Sequence, residues 1–140
     1  TPILEIERLQ FWQASLSTVE CQGVSAILRH GCGRPLKHLS LVTLDLEQPQ
    51  ILVESMRNAI HLQELRIRPW HRARWWQTLQ PNLYEAAHEM VLQLLQNSQN
   101  QLQSLWLQDM RLQDQHFMAM VETLPTSCLQ LLNVQGNDIR

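Results

Sequence analysis

One spacing recurs along this chain and limits what it can fold into. The hexads LKHLSL (Leu36, Leu39, Leu41), LQELRI (Leu62, Leu65, Ile67), LQSLWL (Leu102, Leu105, Leu107) and LQLLNV (Leu129, Leu132, Val134) share an apolar pair two residues apart. That spacing sends both side chains to the same face of a strand. The central leucines stand at 39, 65, 105 and 132, so the intervals are 26, 40 and 27 residues. A lone short strand is not stable, and self-similarity at this period indicates units that bury their apolar faces against one another. A degenerate further copy, LEIERL, aligns Leu4, Ile6 and Leu9 with Leu39, Leu41 and Leu44. A purely helical array is the competing fold, because short apolar runs do not by themselves exclude helix.

Helical periodicity fills the gaps between the hexads. Leu52, Met56, Ala59 and Ile60 share one helical face, as do Ala86, Ala87, Met90, Val91, Leu94 and Leu95, and then Phe117, Met118, Val121 and Leu124. The unit is therefore strand, turn, helix, turn, with breaks at Asn97-Ser98 and Pro125 and with Asp114 as a cap for a helix beginning near Gln115. The first 35 residues read as an irregular repeat or a helical segment: Trp12, Leu16 and Val19 suit one helix, and Val24, Ile27 and Leu28 a second, with Gly23 between them. Gly31, Gly33 and Pro35 then lead into Leu36.

At this point a resemblance is legible. Leu129-x-x-Leu132-x-Val134-x-x-Asn137-x-Ile139 is similar to the L-x-x-L-x-L-x-x-N-x-L consensus of leucine-rich repeats. The copies from Leu36 to Leu46 and from Leu102 to Leu112 place Leu44 and Met110 where the consensus has Asn. The period resembles the ribonuclease-inhibitor-like and cysteine-containing subclasses. The resemblance implies an α/β solenoid with a short parallel concave sheet and convex helices, repeats starting near 36, 62, 102 and 129, and Asn137 holding backbone groups at its turn. It also implies recognition of another protein on the concave face, in a host such as a ubiquitin-ligase substrate receptor, an innate immune sensor or a scaffold.

Within such a sheet the residues between the leucines form rows across neighbouring strands. Ser40, Arg66, Trp106 and Asn133 make one row, and Val42, Arg68, Gln108 and Gln135 the next. Arg66 and Trp106 are residue types favoured as interface anchors, although the same pair can simply stack on itself. The long interval of 40 residues contains RIRPWHRARWW, with Arg66, Arg68, Arg72 and Arg74 interleaved with Trp70, His71, Trp75 and Trp76. Removing residues 69–81 restores the period, which marks an insertion at a strand-to-helix turn, where scaffold folds often carry binding function. The tryptophans pack back onto the scaffold, grip a protein, or stack on unpaired bases while the arginines hold phosphates. The candidate partner-binding residues are thus Ser40, Arg66, Arg68, Trp70, Arg72, Arg74, Trp75, Trp106, Gln108, Asn133 and Gln135. Nucleic-acid binding through 66–76 is the alternative function, and the net charge of -2 counts against it.

Composition narrows the remaining classes. No apolar run approaches the roughly 18 residues of a membrane-spanning helix. Three cysteines, Cys21, Cys32 and Cys128, and no Asn-x-Ser/Thr sequon favour a reducing intracellular setting, cytoplasmic or nuclear, with Cys128 expected as a buried structural thiol. His30-Gly31-Cys32 has no second ligand pair at zinc spacing, no phosphate loop or nucleophile motif stands out, and His61, His88 and His116 sit apart in the sequence. The expectation is a non-catalytic module without metal or cofactor. A final strand with no helix after it suggests a stretch of a longer repeat protein.

Overall fold

In a computed structural model the chain is described for residues 7–13, 15–29, 36–70, 82–124 and 128–137. Expectations resting on Leu4, Ile6, Gly31, Cys32, Gly33, Pro35, Arg72, Arg74, Trp75, Trp76, Pro125 and Ile139 fall outside the described residues.

The elements run β1 (Arg8–Trp12), β2 (Ser15–Leu16), α1 (Thr18–Arg29), β3 (His38–Thr43), β4 (Asp45–Leu46), α2 (Pro49–Ser55), a short 3-10 turn (Met56–Asn58), β5 (Glu64–Pro69), α3 (Leu83–Gln96), β6 (Ser104–Leu107), α4 (Asp114–Val121) and β7 (Leu131–Asn133). Strands β1, β3, β5, β6 and β7 form one parallel sheet in that order, and β2 pairs with β4 in a small second one. The class is mixed α/β. The hexads lie in register: Leu39 faces Leu65, Leu65 faces Leu105, and Leu105 faces Leu132. The helices pack in sequence order, α1 on α2, α2 on α3 and α3 on α4.

Alternation explains the layering. In β5 and β6 every second residue is buried, so Leu65, Ile67, Leu105 and Leu107 enter one core with Leu52, Met56, Met90 and Leu94 from the helical layer. All six apolar residues expected on α3, from Ala86 to Leu95, are buried. Between α1 and α2 the hydroxyls of Ser25 and Ser55 are 2.6 Å apart, and Ser55 lies 2.6 Å from the Ile51 carbonyl. Ser55 donates to that carbonyl and Ser25 donates to Ser55, so both buried hydroxyls are satisfied.

Four local expectations are corrected. Strand β1 pairs Leu9 with Leu39 and Phe11 with Leu41, so Leu9 takes the place of Leu39 rather than Leu44, with the aromatic Phe11 standing in for a leucine. Trp12 and Leu16 lie in strands rather than in a helix, Val19 is exposed, and α1 runs unbroken through Gly23. The helix starts where it does because Ser17 and Glu20 cap it reciprocally: the Glu20 amide donates to Ser17 Oγ at 3.2 Å and the Ser17 amide to Glu20 Oε1 at 3.1 Å. On α4 the buried methionine is Met120, whereas Met118 is exposed, and Gln113 rather than Asp114 holds the cap position. Cys128 is exposed, because it precedes the inward-facing positions of β7, and among the described residues the buried free thiol is Cys21.

Candidate functional site

The side of the large sheet turned away from the helices carries the polar positions of the strands. The central row runs Gln10, Ser40, Arg66, Trp106, Asn133 across five strands. The next row runs Trp12, Val42, Arg68 and then Gln108, which follows β6. Ser40 is short and lies between the longer Gln10 and Arg66, so the face dips there. Gln10, Ser40, Val42, Arg66, Arg68, Trp106 and Gln108 line a shallow depression of about 230 Å³.

Two arginine–tryptophan stacks shape its walls. The Arg66 guanidinium carbon sits 4.3 Å from the Trp106 ring centroid, as adjacent strands permit. The Arg68 guanidinium reaches over a whole strand to sit 5.2 Å above Trp12. This second stack passes over Val42, which is why Val42 is only 4% exposed although its row faces outward. Val42 is therefore the floor of the site and not a contact residue. Such stacks contribute on the order of 0.5–1 kcal/mol each at exposed sites, enough to orient the side chains without locking them.

The charges on this face are unequally partnered. Arg66 Nη2 donates to Glu64 Oε1 at 3.1 Å, and the other oxygen of Glu64 lies 3.2 Å from His38 Nδ1. Glu64 thus serves two neighbours. Arg68 and Arg8 make no ion pair among the described residues. Trp106 Nε1 is buried and has no hydrogen-bond partner among them. An unpaired buried donor costs about 1–3 kcal/mol. Asn133 Oδ1 accepts from the Gln135 amide at 3.0 Å, so its side chain is partly committed to its own turn.

Of the candidate residues, the structure brings Ser40, Arg66, Arg68, Trp106, Gln108 and Asn133 onto one face, and Gln135 is exposed just beyond β7. Trp70 follows β5 and its amide donates to the Thr43 carbonyl at 3.1 Å. Pro69 belongs to β5, paired with Thr43. Arg72, Arg74 and Trp75 lie outside the described residues. Sequence reasoning missed Arg8, Gln10 and Trp12, which the alternation in RLQFW, with Leu9 and Phe11 as its inward pair, identifies once Phe11 is counted as a core residue.

A second cluster was also not anticipated. His88 on α3 and His116 on α4 bring their rings to 4.1 Å between centroids. His88 Nε2 lies 2.9 Å from the Met110 carbonyl, which only accepts, so that nitrogen carries the proton. His116 Nδ1 accepts from the Gln113 amide at 3.0 Å and is therefore bare. Each ring has one nitrogen committed, and among the described residues no three His, Cys, Asp or Glu converge as a metal site. Burial, opposed by the Met110 bond, pushes the His88 pKa below the ordinary imidazole value. The unfolded chain then takes up its proton first as pH falls. The stability His88 provides is complete above the ordinary value near 6.5 and is lost as pH falls from there through the lower folded value. Urea midpoints measured from pH 7.5 to pH 5 should fall accordingly, and His88→Gln, which keeps a donor for Met110, should flatten that slope.

Among the described residues no helix is long and apolar enough to cross a membrane. The chain matches no protein-family model, no curated protein and no solved structure.

Proposed function

We propose that this chain is a run of leucine-rich repeats whose outward sheet face recognises another protein, without catalysis and without a cofactor. The observation that carries this reading is the stacked Arg66–Trp106 pair at the centre of a row spanning five strands. Repeat-like organisation is supported by the hexads in register, by the strand-helix alternation, and by Asn137, whose side chain holds the Val134 carbonyl of its own turn together with the Met110 and Leu112 amides of the neighbouring one. A parallel sheet holds its side chains in fixed rows, so little conformational entropy is lost when a partner docks. Large aromatic and guanidinium groups held side by side are the usual anchors of such contacts. An exposed free thiol at Cys128 supports a reducing, intracellular setting. A ligase receptor, an innate sensor and a scaffold would all use the face in this way.

Photocrosslinking tests the reading. A benzoylphenylalanine placed at Ser40 or Gln108, in cells making the protein, should yield a discrete protein adduct that disappears when Trp106→Ala is added, with circular dichroism unchanged. The same group at Glu54, exposed on α2, should not yield that adduct. Identical adducts from Glu54, or none from either face position, would remove the sheet face as the recognition surface.

A further inference from the structure

Resting on that reading, we propose that the partner lays an acidic, carboxylate-rich segment along the groove over β3, with its carboxylates taken by Arg68 and Arg8. The charge distribution is the argument. The whole chain is net negative at -2. Its outward sheet positions are the reverse: Arg8, Arg66 and Arg68 stand against the single carboxylate of Glu64. The excess is two positive charges on one face of an acidic molecule, and the two arginines without an ion pair among the described residues flank β3: Arg68 lines the depression described above, and Arg8 lines an adjoining one that shares Gln10, Ser40 and Arg66 with it.

Their chemistry favours a carboxylate. A guanidinium presents paired N–H donors in a plane, which matches the two oxygens of Asp or Glu and gives a short, charge-assisted contact. Arg68 is already oriented by its stack on Trp12, so its donors are held at the groove rim. Gln10 and Ser40 lie between the arginines and Gln108 just beyond Arg68, and all three can donate to or accept from a peptide backbone. Trp106 Nε1 is a further donor, buried and without a partner among the described residues. A nucleic-acid strand fits less well, because its affinity grows with the number of phosphates neutralised and this face has only two uncommitted arginines among the described residues.

Selection from short random displayed peptides, on the intact chain with the Trp106→Ala chain as counter-selection, tests the proposal. Enriched peptides should carry an excess of Asp and Glu. Their affinity, read by fluorescence anisotropy, should fall about tenfold or more for Arg68→Gln and further for Arg8→Gln with Arg68→Gln. Replacing the peptide carboxylates by amides should have the same effect. Neutral or basic peptides, peptides indifferent to both arginines, or no enrichment at all would overturn the acidic-segment inference. A single-stranded DNA that outcompetes the peptides, and whose binding weakens steeply from about 50 to about 200 mM salt, would overturn it in favour of phosphate. An adduct at Ser40 alongside any of these failures keeps the recognition reading intact, so the two ideas fail separately.

Discussion

Leu65→Ala should lower the unfolding free energy by about 3–4 kcal/mol, among the largest single effects available in this chain. Leu65 is fully buried on the middle strand of the five, flanked in register by Leu39 and Leu105, both also buried. Truncation removes its transfer free energy and leaves a cavity that the rigid β3 and β6 neighbours cannot close. The measurement is a urea titration in which the midpoint drops while the slope is unchanged. Val19→Ala, on an exposed position of α1, is the control and should change stability by less than about 0.5 kcal/mol. A loss at Leu65 below about 1 kcal/mol would contradict a shared core behind the hexads.

Asn137→Ala should be the second large effect, about 2–3 kcal/mol, through hydrogen bonds rather than packing. Asn137 Oδ1 accepts from the amides of Met110 and Leu112, both at 2.9 Å, while Nδ2 donates to the carbonyls of Leu107 at 2.6 Å and Val134 at 2.7 Å. One side chain thereby fastens the turn after β6 to the turn after β7. That turn needs fastening, because Asp109 and Arg111 hold positive φ of 54° and 55°, a conformation that costs a non-glycine residue roughly 1 kcal/mol or more. Removing the amide strands two backbone donors beside the buried Met110 and Leu112. Hydrogen exchange should accelerate first at the amides of Met110 and Leu112. Asn137→Asp should fall between, since it keeps an acceptor and loses the donor. Unchanged exchange at both amides would mean that the turn is held by other groups.

An equivalent device explains why the upper part of the chain tolerates apolar residues at the consensus Asn positions. Asn82, immediately before α3, accepts from the Leu46 amide at 2.7 Å and donates to the Leu46 carbonyl at 2.6 Å. Glu47 similarly accepts from the Thr18 amide at the start of α1, at 2.9 Å. The backbone groups of those turns are satisfied from neighbouring units. A turn needs a hydrogen-bonding partner, but not one from its own repeat.

The same distinction separates what was legible in the sequence from what was not. Hexad register, the apolar stripe of α3 and the row joining Ser40, Arg66, Trp106 and Asn133 were readable, since strand and helix periods are local properties of the backbone. The first unit departs from the expectation because Phe11 stands where the other units have an aliphatic residue, and because α1 starts at the Ser17–Glu20 capping box, beyond Trp12 and Leu16. The buried face of α4 was shifted because that helix packs by Met120 against its neighbours, and a short helix with apolar residues on several sides does not reveal which side is covered.

The amino-acid order alone thus determined which side chains point inward along the four hexad strands and which of their polar residues stand abreast. Tertiary structure alone decided the arch of Arg68 over Val42 onto Trp12, the meeting of His88 with His116, and the service of one turn by an asparagine from the next. Alternation follows from bond geometry within a few residues. Contacts between distant segments depend on strand spacing and side-chain reach, which exist only once the sheet has assembled.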